Sequence, residues 1–470
     1  MTESLYALLP QLILFGTALI VLLLKVVSRT MARQSDSIGL IGALLAMGSL
    51  LYVPGGREVS GFVVDPFSLL GTGLLAGTLA LVLVYSRGFL RKRSLPRTEW
   101  TFLLISATLG LSLMLSTYHL LLLFIGLEIS SLAFYVLCGY LREEKKSIEA
   151  ALKYFILGSI GSAVLLMGIA LVFVNQETIV VTAFAAGTTR AVGFSLSFAV
   201  VILGLLFKLS IVPLHFWVPD VYEGAPTPVT AFMSVAVKIG VLGALVRIYS
   251  HLAGGVGVDW SMLFWWGAVV TILGGNVLAL VQENLKRMLA YSSIAHAGYL
   301  MLGLVTLGSD GYTAVLFYLL IYLLMNVLAF GVISMLDKDG DSYFYSDLQG
   351  LSQSSPLLAA ALAVAMISLA GLPPTAGFMG KLFLFYGVVQ AGYPLLAVFA
   401  VIGSVISVAY YFQVIVYSYM REPDEDAGFV GLNLGGLSRL TAALSVVLIL
   451  YLGINPGDVY QQIRMIVDGL

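Results

Sequence analysis

The feature that most constrains this chain is a succession of uncharged apolar runs, each about as long as a helix that spans a bilayer. A helix needs roughly 20 residues to cross a hydrocarbon layer of ~30 Å, and such runs recur along the whole sequence. One soluble core could not cover so much apolar surface. Of the 470 residues, 60% are hydrophobic and only 10% are charged, against about a quarter in soluble domains. The sequence therefore predicts an all-α polytopic membrane protein.

Hydropathy divides the chain into about fourteen predicted transmembrane helices joined by mostly short loops. They are predicted at residues 5–25, 37–54, 64–85, 100–116, 118–141, 148–174, 194–215, 224–250, 260–282, 288–308, 311–336, 355–391, 396–419 and 437–454. No soluble domain is predicted, so 1–470 forms one membrane domain, with helices 1–3 in 1–99 and the last helix and tail in 437–470. The first run lacks a basic leader and a small-residue cleavage site, and we interpret it as a retained span rather than a signal peptide.

The loops carry their basic residues asymmetrically. Odd-numbered loops hold most of the lysines and arginines that lie outside the spans, including the cluster at 87–97 and the single Lys338. The even-numbered loops and the tail hold only Arg57, Arg190 and Arg464. Because loops rich in Lys and Arg stay on the cytoplasmic side, we predict that the odd loops are cytoplasmic and that both termini lie outside.

Few charged side chains fall inside the predicted spans, and they are the main functional signal. The basic ones are Lys153, Lys208, Lys238, Arg247 and Lys381, and the one acid central to an apolar run is Glu128, in LLLFIGLEISSLAFYVL. A charge at the bilayer centre costs about 3 kcal/mol on insertion scales, so it usually faces a protein interior or a hydrated path. Glu128 lies about 15 Å or more from either end of its span, too far for its side chain to reach water.

Two proline clusters interrupt spans beside lysines. In GLLFKLSIVPLHFWVPDVYEGAPTP, Pro213 follows Lys208, and in LAGLPPTAGFMGKLFLF, Pro373 and Pro374 precede Lys381. Proline breaks a helix, and irregular backbone at membrane depth is tolerated where it packs in protein or lines a wet cavity. The breaks predict two inverted five-helix repeats, residues 100–250 (helices 4–8) and 260–419 (helices 9–13), with helices 7 and 12 broken.

Other titratable residues have a functional and a structural interpretation. Glu149 and Lys153 are spaced i, i+4, as in an ordinary ion pair on a helix surface. Arg247 lies near the end of its span, where we interpret it as an interfacial anchor. His215 in the first proline break and His296 in YSSIAHAGYLM are candidate proton-relay groups or packed neutral histidines.

Composition and motifs exclude several kinds of chemistry. The chain has one cysteine, Cys138, so it forms no internal disulfide and no multi-cysteine metal or iron–sulfur site. It carries no nucleotide-binding loop or HExxH motif, and its net charge of −1 gives no indication of nucleic-acid binding. The embedded polar set is instead dominated by lysine. A lysine that a carboxylate approaches and leaves binds and releases a proton, which arginine does not do, so the residues favour proton translocation.

Four stretches resemble the subunit N family of bacterial proton-pumping NADH:quinone oxidoreductases, or respiratory complex I. They are HFWVPDVYEGAPTPVTAFMSVAVKIG, YSSIAHAGYLM, DLQGLSQSSP and SLAGLPPTAGFMGKLFLF. The resemblance covers nearly the whole chain and implies an antiporter-like, fourteen-helix subunit of the bacterial inner membrane, located between subunits K and M. It implies no cofactor in this chain, because NADH, FMN, iron–sulfur clusters and quinone react in other subunits.

The resemblance also implies roles for four of the embedded residues, and Glu149 and Lys153 match a further pair near the start of span 6. Glu128 matches the glutamate of span 5, and Lys208 matches the lysine of span 7 with which it pairs. Lys238 matches the central relay lysine of span 8, and Lys381 matches the lysine of span 12 on the exit side. Two alternatives stay open: a sodium/proton antiporter subunit, and a structural membrane subunit that pumps nothing.

Overall fold

The apolar runs form long helices, as their length and composition predict. The computed structural model describes residues 6–53, 55–184, 192–255, 260–306, 308–336, 343–422 and 435–470. Its longer helices are α1 Leu9–Val27, α2 Ser35–Ser49, α3 Pro66–Lys92, α4 Arg97–Leu115, α5 Leu120–Cys138, α6 Lys145–Gln176, α7 Val192–Lys208, α8 Val218–Gly224, α9 Thr227–Gly255, α10 Ser261–Leu280, α11 Leu285–Val305, α12 Ser309–Met335, α13 Pro356–Ala370, α14 Ala376–Gln390, α15 Pro394–Tyr419, α16 Gly436–Ile454 and α17 Gly457–Val467. Single helical turns lie at Arg29–Ala32, Val181–Ala183, Tyr345–Leu348 and Leu351–Ser354. A short antiparallel hairpin, β1 Arg57–Val59 and β2 Phe62–Val64, precedes α3. The predicted all-α class is confirmed.

Eleven of the described helices are long and apolar enough to cross a membrane. Four shorter apolar helices accompany them: α2, α7, α13 and α14. The chain is therefore a multi-pass membrane protein. The count of fourteen spans stays a prediction, because it depends on how the short helices combine into crossings. The hairpin, the short α8 and the C-terminal α17 are elements that hydropathy did not indicate, since none of them is a long apolar run.

Both proline clusters interrupt the helices where the sequence places them. Helix α7 ends at Lys208, and an irregular segment leads from it to α8. The predicted span 355–391 is two helices, and Lys381 lies near the start of the second one. Each break contains a cis peptide bond, Val212–Pro213 in the first and Pro373–Pro374 in the second. Each break thus places irregular backbone next to one of the embedded lysines.

The helices from α4 to α15 pack as two halves, α4–α9 and α10–α15. In each half the first helix packs along the second and also against the last. The halves meet where α9 packs on α12 and where α8 packs on α11, and α3 lies against both α9 and α12. This parallel packing supports the assignment of residues 100–250 and 260–419 as inverted repeats, which stays a prediction.

Contacts between loops separate the chain into two opposite ends. At one end, ion pairs join consecutive odd-numbered loops: Lys25–Glu99, Arg93–Glu144 and Lys146–Glu223. We call this the basic end. At the opposite end, isolated β-bridges join even-numbered loops: Phe62 with Thr117, and His119 with Val180. Odd-numbered loops thus contact one another, and so do even-numbered loops, as expected when successive helices cross the membrane in opposite directions. That the basic end faces the cytoplasm stays a prediction, and two residues used for it, Arg190 and Lys338, lie outside the described part of the chain.

Arg247 is not the interfacial anchor that its position suggested. Its side chain is fully buried, and its guanidinium donates to both carboxylate oxygens of Asp65, at 2.8 and 2.7 Å, and to the Leu115 carbonyl at 2.8 Å. The rings of Phe67 and Tyr118 lie about it, 5.1 and 5.2 Å from the guanidinium carbon. This arginine therefore ties α9 to the start of α3 and the end of α4. Sequence spacing could not reveal it, because Asp65 is 182 residues away.

We predict that Arg247→Leu destabilises the chain by roughly 3–5 kcal/mol, since it leaves a buried carboxylate without its partner. Burial by itself would raise the pKa of Asp65, but the hydrogen bonds and charge of Arg247 hold that pKa below its usual value, so the carboxylate is charged at neutral pH. The measurement is the temperature at which the chain aggregates in detergent extracts of membranes. Arg464→Leu is the control, because Arg464 is half-exposed and exposed pairs contribute about 0–1 kcal/mol. Equal losses in the two variants would contradict the prediction.

Candidate functional site

Three lysines lie deep in the helix bundle without a carboxylate partner. Lys208, Lys238 and Lys381 are each no more than 3% exposed. Within the described residues, no carboxylate lies at ion-pair distance from any of the three, and their hydrogen bonds go to hydroxyls and main-chain carbonyls. A buried ammonium without a counter-ion is costly. At each position neutral oxygens, and no carboxylate among the described residues, hold the amine.

Lys208 and Glu128 share a site between α5, α6 and α7 but do not touch. Lys208 Nζ donates to Ser131 Oγ at 3.0 Å, and Glu128 Oε1 accepts from Ser162 Oγ at 2.5 Å. Glu128 and Ser131 lie about one turn apart on α5, so the two charges are neighbours on one helix face. The direct pair implied by the resemblance is absent from this conformation, because Ser162 on α6 holds the carboxylate instead.

Lys238 lies at the junction of the two halves. Its Nζ donates to the Ser234 carbonyl at 3.0 Å and to Ser293 Oγ at 2.5 Å. Ser293 Oγ also accepts from the Tyr322 hydroxyl at 3.1 Å, and Nζ lies 5.2 Å from the centre of the Tyr322 ring. Asn326, one turn after Tyr322 on α12, donates to Ser234 Oγ at 2.5 Å. The amine thus joins α9 of the first half to α11 and α12 of the second.

His296 connects hydroxyls from two helices of the second half. Its Nδ1 lies 2.6 Å from the Tyr318 hydroxyl and its Nε2 lies 3.1 Å from the Tyr411 hydroxyl. The Tyr411 hydroxyl also bonds Ser292 Oγ, and the imidazole packs against Tyr322, the neighbour of Lys238, with ring centres 5.1 Å apart. In neutral histidine one ring nitrogen donates and the other accepts. This imidazole can therefore pass a proton between the two tyrosines.

Lys381 caps the helix that ends before the second proline break. Its Nζ donates to the carbonyls of Leu369 and Ala370, at 3.0 and 2.9 Å, and to Ser404 Oγ at 3.0 Å. The negative end of the α13 dipole stabilises a cation there. The Tyr299 ring lies beneath, with its centre 4.9 Å from Nζ. The break thus supplies free carbonyls that bind the ammonium in place of water.

Tyr410 and Asn276 link the histidine to Lys381. Tyr410 packs on Tyr411, with ring centres 4.4 Å apart, and donates to Asn276 Oδ1 at 2.8 Å. Asn276 Nδ2 lies 3.5 Å from the hydroxyl of Tyr299, the ring beneath Lys381. The polar groups between Lys238 and Lys381 therefore form a nearly continuous band across α11, α12, α15 and α10.

Apolar side chains pack between α5 and α9. Phe134 and Phe232 pack together there with ring centres 5.7 Å apart, and Cys138 Sγ donates to Met233 Sδ at 3.4 Å. Tyrosines lie nearby as well: Lys208 Nζ is 5.8 Å from the ring centre of Tyr135, and the Tyr222 side chain bonds Ser293, the partner of Lys238.

The Glu149–Lys153 pair belongs to a larger ionic cluster at the basic end. Lys153 Nζ lies 2.6 Å from Glu149 and 2.7 Å from Asp220. Arg287 binds Asp220 at 2.7 Å and Glu223 at 3.0 Å. Burial by itself would raise the pKa of Asp220, but hydrogen bonds from Lys153 and Arg287 hold it below its usual value. The i, i+4 spacing predicted the first contact, but only folding brings α6, α8 and α11 together.

His215 takes no part in the polar band that the structure describes. It lies half-buried in the first proline break, and its Nδ1 is buried without a hydrogen-bond partner among the described residues. Sequence reasoning also missed the tyrosine hydroxyls around His296. A signal for them was present: Tyr318, Tyr322 and Asn326 recur at i, i+4, i+8, which puts three polar groups on one face of an otherwise apolar helix.

Comparison with known proteins identifies the family. The family described as NADH:quinone oxidoreductase/Mrp antiporter, transmembrane, matches residues 117–407, which contain all three buried lysines. The chain is 38% identical over 474 residues to the NADH-quinone oxidoreductase subunit N of Trichlorobacter lovleyi, covering 98% of this chain and 96% of that protein. This chain belongs to the subunit N family. The resemblance in its motifs is thereby confirmed, and the chain is a membrane subunit of NADH-quinone oxidoreductase, or complex I.

Solved structures share the fold. A chain of respiratory complex I from Thermus thermophilus with bound aureothin superposes with a TM-score of 0.84 at 35% identity, over 96% of this chain and 98% of that one. A chain of the Mrp complex from Dietzia sp. DQ12-45-1b gives a TM-score of 0.85 at 21% identity. The second likeness shows the fold alone and does not favour the sodium/proton antiporter alternative. The subunit N chain therefore assembles with other complex I subunits.

We predict that Gly377→Ala disrupts the carbonyl site of Lys381. A Cβ at Gly377 would lie 1.7 Å from the Ser368 carbonyl oxygen, so α13 and α14 must separate, at a cost of roughly 1–3 kcal/mol. Gly387→Ala on the same helix is the control. A Cβ at Gly387 would lie 3.9 Å from the nearest neighbouring atom, which is an ordinary van der Waals contact. The measurement is the thermal aggregation temperature of the chain together with proton pumping by the complex. Tolerance of both alanines would contradict the described packing.

Tyr318→Phe removes one hydroxyl from His296 without changing the ring. Losing such a hydrogen bond costs about 0.5–1.5 kcal/mol, so we predict up to about tenfold slower proton transfer if the step becomes limiting. Tyr312→Phe on the same helix is the matched control, since the Tyr312 hydroxyl has no hydrogen-bond partner among the described residues. Proton uptake by vesicles containing the complex measures the effect. A larger loss in Tyr312→Phe than in Tyr318→Phe would contradict the role of the histidine contact.

Proposed function

We propose that this subunit moves protons across the membrane through Lys208, Lys238, His296 and Lys381, driven by electron transfer in other subunits of complex I. The observation that carries the proposal is the set of three buried amines, each held by neutral oxygens and none by a carboxylate. A purely structural set would gain more from pairing each lysine with an acid, because a buried charge left uncompensated destabilises the fold.

Glu128 acts as the switch for loading Lys208. In the structure its carboxylate is held by Ser162 on α6, while Lys208 is held by Ser131 on α5. A carboxylate that leaves Ser162 and moves toward Lys208 stabilises the ammonium, and its return favours release of the proton. The switch therefore needs only a rearrangement of side chains on neighbouring helices.

The proton enters at the basic end and leaves at the opposite end. A cavity of about 90 Å³ opens within the ionic cluster at the basic end, lined in part by Lys153, Asp220 and Glu223. From Lys208 the proton passes through water to Lys238, then through Ser293 and the tyrosines around His296 toward Lys381. Lys381 releases it outside. This direction rests on the asymmetry of basic residues, from which we predict that the basic end is cytoplasmic and that both termini lie outside.

Neighbouring subunits complete the site at Glu128. The carboxylate is only half-buried in this chain, and large apolar side chains beside it on α5, such as Ile125 and Leu132, are exposed. A carboxylate at membrane depth is costly against lipid, so another protein surface covers it in the complex. We assign the neighbours as subunits K and M. NADH, FMN, iron–sulfur clusters and quinone belong to the remaining subunits.

Lys208→Ala is expected to abolish most proton pumping while the complex stays assembled. Its loss removes the amine that accepts the proton, and the remaining serine cannot replace it at neutral pH. The experiment measures proton uptake and NADH:quinone turnover by the complex in vesicles. Lys145→Ala is the matched control, because Lys145 is exposed at the start of α6. Unchanged uptake in an assembled Lys208→Ala complex would indicate a structural subunit.

Lys381→Arg separates a titrating role from a structural one. Arginine keeps the charge and can bind the same carbonyls, but it does not deprotonate. We expect the complex to assemble with Lys381→Arg and to pump as poorly as with Lys381→Ala. Recovery of pumping by arginine would show that only the charge matters. Uptake that depends on sodium instead of protons would favour the antiporter alternative.

A further inference from the structure

A cavity of about 690 Å³ opens at the basic end, and none of Lys208, Lys238 and Lys381 lines it. It lies between the end of α1 and the turn that joins α3 to α4. Its charged lining consists of Lys25, Arg33, Arg91, Arg97 and Glu99, which gives four positive charges and one negative charge. Nothing in the proposed proton path uses these residues. Because these charges are mostly positive, an anion is the ligand that the cavity would bind.

Ion pairing satisfies only part of this charge. Lys25 pairs with Glu99, and Arg97 Nη1 lies 3.1 Å from the Arg33 carbonyl and 3.4 Å from Asp36. Within the described residues, no ion pair or hydrogen bond engages the side chains of Arg33 and Arg91, both of which are exposed. Two guanidinium groups thus stay available at the mouth of the cavity. Guanidinium binds phosphate in a bidentate manner.

The surface beside the cavity is apolar and faces outward. Only 33% of the residues in the apolar stretch of α1 are buried inside the chain. Beside and beyond Lys25, Leu22, Leu23, Val26 and Val27 are exposed by 44%, 58%, 83% and 73%. Acyl chains require such a surface immediately below a site for a phosphate. The cavity is also within the ~300–1,000 Å³ typical of sites for small molecules.

We propose that this cavity binds the head group of an anionic phospholipid, whose acyl chains lie along α1. Basic pockets between transmembrane helices bind such head groups, with about a factor of five in affinity for each Lys or Arg near the phosphate. The inference is independent of the proton path. It requires only that the basic end lies at a membrane surface, whichever surface that is.

The test uses the assembled complex, delipidated in a neutral detergent, and phosphatidylglycerol with a photoreactive head group. Crosslinked peptides are mapped by mass spectrometry. We expect crosslinks to the peptides around residues 25–33 and 90–99, and about thirtyfold weaker labelling in the double variant Arg33→Gln/Arg91→Gln, because two cations are lost. The control Lys145→Gln/Arg421→Gln removes the same charge from exposed positions at the same end and should label like the wild type.

Competition identifies the source of the phosphate. Unlabelled phosphatidylglycerol should abolish the crosslinks, while phosphatidylcholine and inorganic phosphate should not. Competition by inorganic phosphate at equal strength would overturn the proposal in favour of a free anion. Equal losses of labelling in the two double Gln variants would overturn the proposal, because they would show that the lipid responds to general surface charge and not to this cavity. Crosslinks from these peptides to another subunit, with none to lipid, would show that an acidic protein surface fills the cavity. Arg33→Lys/Arg91→Lys keeps both charges and should label more strongly than the Gln variant, and unchanged NADH:quinone turnover in the Gln variant shows that it does not act through misfolding.

Discussion

The free energy of burying an ammonium group is the constraint on which the rest of this structure depends. Three lysines lie at membrane depth without carboxylates, and each is tolerated only because oxygen atoms replace its water. Serine hydroxyls do this for Lys208 and Lys238, and the last carbonyls of α13 do it for Lys381. Carbonyls are free to do so only where a helix ends. A proline break within the membrane is therefore a requirement of the Lys381 site.

The two halves differ in how they provide a path between their charges. Between α5 and α9 aromatic and sulfur-containing side chains pack together, although Tyr135 lies beside Lys208 and Tyr222 bonds Ser293, the partner of Lys238. Beyond Lys238 the tyrosines around His296 provide nearly continuous contacts. In the proposed mechanism, the position of Glu128 controls proton transfer at the first step, before the proton reaches Lys238.

The buried Asp65–Arg247 pair shows how the surrounding helices keep this arrangement in register. Arg247 is on the same helix as Lys238 and binds the beginning of α3 and the end of α4. Helix α3 in turn packs against both halves. A relay of short hydrogen bonds tolerates little displacement, so a bidentate ion pair that fixes α9 relative to α3 also restrains the position of Lys238.

The sequence by itself determined the all-α membrane class, the two proline breaks and the short set of embedded charges, because hydropathy, proline and isolated lysines act through local physics. Only the tertiary structure decided which groups those charges meet. Tyr411 contacts His296 across 115 residues, Arg247 binds Asp65 across 182 residues, and Ser162 binds the Glu128 carboxylate that the resemblance pairs with Lys208. A hydrogen bond depends on distances of a few ångströms between helices, and the spacing of residues along one helix does not contain that distance.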